Sequence, residues 1–117
     1  MLIAAEAAAR LGHVDEAVGH INTLLRKRWS PSYIPFQSND SKEVLQFILA
    51  ERRKELCFRS GLRWSDIRRF TFEPEFTVVP TRLIEGQSYS LEPGDLRYAV
   101  LLPQSVIDLS GMEQNER

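Results

Sequence analysis

The chain has 117 residues, a net charge of −1 and a 26% charged fraction, which suits one modest core and supplies no field that would hold nucleic acid or an anionic membrane. Its single cysteine excludes an internal disulfide and a cysteine-based metal cage. No run of about eighteen apolar residues is present to cross a bilayer.

Met1 to Leu11, MLIAAEAAARL, is rich in alanine and predicts a helix with a small-residue face suited to close packing. It does not read as a signal peptide, because the basic start and the cleavage pattern are missing and Glu6 and Arg10 interrupt its apolar run. No capping residue precedes the helix, so we expect the chain to be a piece of a longer protein. Gly12-His13 is a tight connection, with His13 at the start of the next helix. Val14, Ala17, Val18, Ile21, Leu24 and Leu25 then form an i, i+3, i+4, i+7 stripe. Asp15 and Glu16 at its start and Arg26, Lys27 and Arg28 at its end match the helix dipole. Residues 1–28 are therefore expected to form a helix hairpin similar to a tetratricopeptide unit.

Trp29 to Asn39 reads as a loop by its prolines and serines. Its aromatics Trp29, Tyr33 and Phe36 are candidate ligand-binding residues, since sugar rings stack their CH faces on flat side chains. The plainer reading is that they cover the helix pair, because aromatics usually supply buried area.

Residues 40–70 predict a long helix from Asp40 to Ser60, a stop at Gly61 and a short helix from Leu62 to Phe70. Asp40 and Glu43 have the spacing of a capping box. Seven of the fifteen Lys and Arg fall between 50 and 70, interleaved with Leu56, Cys57, Phe58, Leu62, Trp64, Ile67 and Phe70. Arg52 shares a helix face with Leu45, Leu49 and Leu56, so its charge must reach the edge or find a partner. Glu55 and Arg59 have i,i+4 spacing, and Cys57 reads as a small packing residue. We expect Glu51, Arg52, Glu55, Arg63, Trp64 and Asp66 to be structural, a half-buried Arg/Glu network around the indole. Phosphate or nucleic-acid binding by these arginines is the weaker reading, because acids are interleaved with them.

Residues 71–117 contain too many prolines for an ordinary helix up to Pro103. They read as an irregular wrap laid over the helices with room for one small hairpin, with extended runs at Phe76–Val79 and Tyr98–Leu102 and a turn at Glu92–Asp95.

No site of chemistry emerges. His13 and His20 are the two histidines, and a turn between them makes a poor metal pair. No phosphate loop, GxSxG or HExxH occurs. We expect no enzyme activity, no metal and no cofactor.

ERRKELCFRSGLRWSDIRRF, from Glu51 to Phe70, resembles the signature near the C-terminus of the RagB/SusD family, of the form ERRxELxFEGxRWxDLRR. It departs at Arg59 and Ser60, where the family favours an acid and then glycine, and at Ser65, where an aromatic is common. YAVLLPQSVIDLSGMEQNER is similar to the family's ending, an LPIP-type stretch, a short helix and a final Gln-Asn, with Leu102 where Ile is common. The resemblance implies a mainly α fold, the C-terminal part of a SusD-like superhelix with 1–117 as one unit. It also implies a cell-surface outer-membrane lipoprotein that captures an oligosaccharide or other nutrient and works with a TonB-dependent transporter. Its membrane attachment would be a lipid anchor outside this segment, and this segment would be scaffold. The alternative is a stand-alone tetratricopeptide-like adaptor for a peptide or protein partner.

Overall fold

A computed structural model describes residues 1–28, 33–59 and 61–117. It contains five α-helices and one two-stranded sheet among those residues, the mainly helical fold that was expected. Contacts fall into two compact units, Met1–Arg59 and Ser60–Arg117. The boundary therefore lies inside the 40–70 segment that the sequence reading treats as one helical pair.

The first unit holds α1 (Leu2–Arg10), α2 (Val14–Arg26) and α3 (Ser41–Glu55). Ala5, Ala8 and Ala9 of α1 are buried with Ala17, Ile21 and Leu25 of α2 and Val44 and Ile48 of α3. The alanines let the three backbones approach closely, and the branched residues opposite fill the space. Between α1 and α2 the chain turns through Gly12 at φ 79°. The His13 amide donates to the Ala8 carbonyl at 2.9 Å and the Gly12 amide to Ala9 at 3.1 Å, a Schellman closure that needs the left-handed residue in the middle. Ser41 at the start of α3 donates its hydroxyl to the same Ala9 carbonyl at 2.7 Å, so the end of one helix is tied to the beginning of another.

The start of α3 elaborates the predicted capping box. Asp40 accepts from the Lys42 amide at 2.9 Å. The return bond is relayed: the Asp40 amide donates to Ser38 Oγ at 3.1 Å, and that hydroxyl donates to Glu43 at 2.6 Å.

The far end of α3 departs from expectation. The helix stops at Glu55, not at Ser60, with Leu56 as its cap, and the chain leaves through Phe58 at φ 62°. The buried residues of α3 are Val44 and Ile48 in its first half, so a further turn would have nothing apolar to cover. Cys57 is consequently exposed, against the packed position expected for it, and Phe58 is fully exposed. Gly61 has the left-handed backbone expected of it, but it stands at the start of the next helix.

The second unit begins with α4 (Leu62–Phe70), bounded as predicted. Its Asp66, Ile67 and Phe70 are buried. The tail packs onto it through Phe76, whose ring lies 6.0 Å from Phe70, and Tyr98, 5.3 Å from the Trp64 indole. Thr77 donates to the Phe70 carbonyl at 2.9 Å. The extended runs expected at 76–79 and 98–102 are not strands. The sheet is instead an antiparallel hairpin of β1 (Thr81–Ile84) and β2 (Gln87–Ser90). Glu85 and Gly86 between them both have positive φ, 50° and 80°, the mirror-image turn whose twist matches that of paired strands. The Glu92–Asp95 turn is present, closed by the Asp95 amide on the Glu92 carbonyl at 3.1 Å. A short 3-10 turn at Leu96–Tyr98 follows, then α5 (Gln104–Ser110).

The end of the chain folds back on the tail. Gln114 holds both backbone groups of Leu102, accepting its amide at 2.8 Å and donating to its carbonyl at 3.1 Å. Asn115 donates to the Val100 carbonyl at 2.7 Å. The Gln-Asn pair thus gives an extended segment the hydrogen bonds that a neighbouring strand would otherwise provide.

Candidate functional site

Three groups of residues are candidates: the aromatics of the 29–39 loop, the charged residues near the α3 and α4 sequences, and the surface of the second unit. Trp29 lies outside the described residues. Tyr33 and Phe36 are half-buried against the core of the first unit. Phe36 stacks face to face on Phe47, with ring centroids 3.9 Å apart.

Both loop aromatics are fixed by Asn22 on α2, a residue the sequence reading passed over. Its amide donates to the Phe36 carbonyl at 2.9 Å and its carbonyl accepts the Phe36 amide at 2.9 Å. The same oxygen accepts the Tyr33 hydroxyl. The sequence does carry a signal for it. Asparagine is a poor residue for the middle of a helix, so Asn22 within an otherwise strong pattern calls for a partner elsewhere.

The six residues expected to be structural divide between the units. Glu51 pairs with Lys54 at 2.5 Å. Glu55 pairs with Arg28 of α2's C-terminal turn rather than with Arg59, because Arg59 lies beyond the helix and the i,i+4 geometry is never formed. Arg52 and Arg63 are half-buried and engaged. Asp66, 6% exposed, meets Arg69 at 2.9 Å, and the Arg69 guanidinium also covers the Phe70 ring at 4.3 Å. Trp64 is half-buried. Its indole N–H is inaccessible to water and has no acceptor among the described residues.

The second unit also presents two clefts. One of roughly 430 Å³ is lined by Ser65, Arg68, Phe72, Asp95 and Tyr98, among others. The other, roughly 330 Å³, is lined by Trp64, Pro80, Arg82, Tyr89, Arg97 and neighbouring residues. Asp95 lines the first and Arg97 the second. Arg97 donates from Nε at 2.9 Å and Nη2 at 2.6 Å to the Asp95 carboxylate, which also accepts the Arg97 amide at 2.8 Å. These bonds pull Asp95 down from 3.8 to about 2, and the reciprocal bond raises Arg97.

The sign of the pH effect follows. A carboxyl with a lowered pKa in the folded state adds stability in full above its unfolded value and loses it as pH falls through the folded value. The Asp95 contribution should therefore be constant above about pH 4 and fade toward about pH 2. Thermal melts across that window should show a steeper loss of stability in the wild type than in Asp95→Asn.

His13 and His20 each approach Glu16, at 3.6 and 3.5 Å, as pairs along one helix. No group of three or more His, Cys, Asp or Glu among the described residues is arranged to hold a metal ion. No helix among the described residues is long and apolar enough to cross a membrane.

A search of curated proteins found no significant match. The model of the SusD family matches residues 1–115, a span that includes both the arginine-rich signature and the Gln-Asn clamp that closes the tail. With nearly every residue inside that match, and with the mainly helical fold described above, the chain belongs to the SusD family.

Proposed function

We propose that this chain is the scaffold portion of a cell-surface nutrient-binding protein. It would support capture of an oligosaccharide, or another nutrient, by an outer-membrane lipoprotein that works with a TonB-dependent transporter. Proteins of the SusD family are binding proteins rather than enzymes, which supports the choice of class.

The commitment of Tyr33 and Phe36 to packing carries the scaffold assignment. The Tyr33 hydroxyl and both backbone groups of Phe36 are taken by Asn22, and one face of the Phe36 ring is covered by Phe47. Aromatics held this way serve the fold before any ligand. The charged residues of the signature fit the same role, since Glu51, Glu55 and Asp66 each have a cationic partner.

The test is a calorimetric titration of the intact native protein with a panel of oligosaccharides, repeated on its Asn22→Ala variant. The expected result is binding by both with similar Kd, and a lower denaturation midpoint for the variant. Absence of glycan binding by the intact protein would overturn the assignment of class. Loss of affinity without loss of stability would move Tyr33 and Phe36 from scaffold to binding site.

A second reading, a tetratricopeptide-like adaptor, draws on α1. Met1, Ile3 and Leu11 are 52%, 77% and 72% exposed, which suits contact with another helical surface. Capture of a helical peptide by this chain, abolished by Ile3→Asp, would favour it.

A further inference from the structure

The groove lined by Trp64, Pro80, Arg82, Tyr89 and Arg97 lies within the second unit and includes none of the loop aromatics considered above. Arg82 and Tyr89 are direct cross-strand partners in the hairpin. Residues so paired project from the same face with Cβ atoms about 5 Å apart. Tyr89 is 52% exposed, and the exposed Arg82 side chain makes no hydrogen bond or ion pair among the described residues. Arg97 is different, because Asp95 already neutralises it.

The lining carries these two guanidiniums and no carboxylate, so one uncompensated positive charge stands beside one open aromatic face. We propose that this groove binds an anionic sugar residue, whose ring lies on Tyr89 while its carboxylate or sulfate pairs with Arg82.

A guanidinium matches the two oxygens of either group in a planar fork, and the aromatic face takes the CH side of a pyranose. Nucleic acid fits poorly, because a single free arginine cannot follow a phosphate backbone that needs several cations. The inference rests on the glycan-binding reading above, and adds to it a contact that selects charge.

The experiment is isothermal titration of the intact native protein with a short oligouronate, a sulfated oligosaccharide of equal length and a neutral one. Wild type, Arg82→Gln, Arg82→Lys and Tyr89→Ala are compared. Both substituted positions are exposed, and an unchanged circular dichroism spectrum confirms folding.

At least one anionic probe should bind about tenfold or more tightly than the neutral probe, the worth of one charge-assisted contact. Arg82→Gln should erase that preference, Arg82→Lys should keep part of it, and Tyr89→Ala should weaken every probe. The ratio between the two anionic probes tells uronate from sulfate. The proposal is overturned if wild type binds no anionic probe, or if Arg82→Gln binds as wild type does. If that happens while the intact protein still binds glycans, the groove alone fails. If the intact protein binds none, the reading beneath it fails too.

Discussion

Truncating Ile48 to alanine should destabilise the first unit by about 2–5 kcal/mol. Ile48 is fully buried and shares one core cluster with Ala5, Ala8, Ala9, Ala17, Ile21 and Leu25. Four of those neighbours are alanines with no rotamer to move, so the hole left by the lost methylenes cannot be filled by local relaxation. A cavity that cannot collapse places the cost toward the upper end of that range. Units of about sixty residues are stabilised by only about 3–9 kcal/mol in total, so the loss should unfold much of Met1–Arg59 near room temperature. The measurement is urea denaturation followed by far-ultraviolet circular dichroism, because α1, α2 and α3 hold most of the chain's helical residues. An unchanged midpoint would show that this cluster does not hold the three helices together. Ala50→Ser, on the exposed side of α3, serves as the control and should change stability by less than about 0.5 kcal/mol.

The parts of this fold that can be read from sequence are those set by periodicity and by residues with one strong preference. The stripe through Val14, Ala17, Val18, Ile21, Leu24 and Leu25 yields α2, and Gly12 yields the turn before it. The signature around Trp64 yields α4 with its bounds. The parts that cannot be read depend on what lies across the chain. Nothing local ends α3 at Glu55; it ends because the apolar surface available to cover it runs out and because Glu55 is held by Arg28, from the turn that follows α2. A small hairpin is legible in the tail but its strands are not, because β1 and β2 are exposed on every residue and no alternation of burial marks them. Its turn uses Glu85 where an asparagine or aspartate would have announced it. Asn22 escaped for a related reason. Its partners stand fourteen residues away in a loop, and only the cost of placing asparagine in mid-helix hints at them. The candidate site was the least legible of all, since Arg82 and Tyr89 become neighbours only through the register of that unmarked hairpin.

Two substitutions at Trp64 should separate its packing from its polar atom. Trp64→Ala removes the ring that lies 5.3 Å from Tyr98 and should destabilise the second unit by about 3 kcal/mol, the lower end for large aromatics because the residue is half-buried. Trp64→Phe keeps an aromatic surface and deletes the indole N–H. That group is buried without an acceptor among the described residues, a situation that costs about 1–3 kcal/mol in the folded state. The phenyl ring is smaller, and the resulting gap costs about 1–2 kcal/mol by the same reasoning as other core truncations. The two effects oppose each other, so Trp64→Phe should lie within about 1 kcal/mol of wild type while Trp64→Ala does not. Chemical denaturation of the three proteins, followed by the near-ultraviolet signal of the remaining aromatics, makes the comparison. Equal losses in both variants would mean that the N–H has a partner in solution and that the indole acts as a hydrogen-bond donor. A small loss in Trp64→Ala would mean that the Phe70–Phe76 contact holds the tail on α4 without it, and that the tryptophan of the signature serves something other than packing on Tyr98.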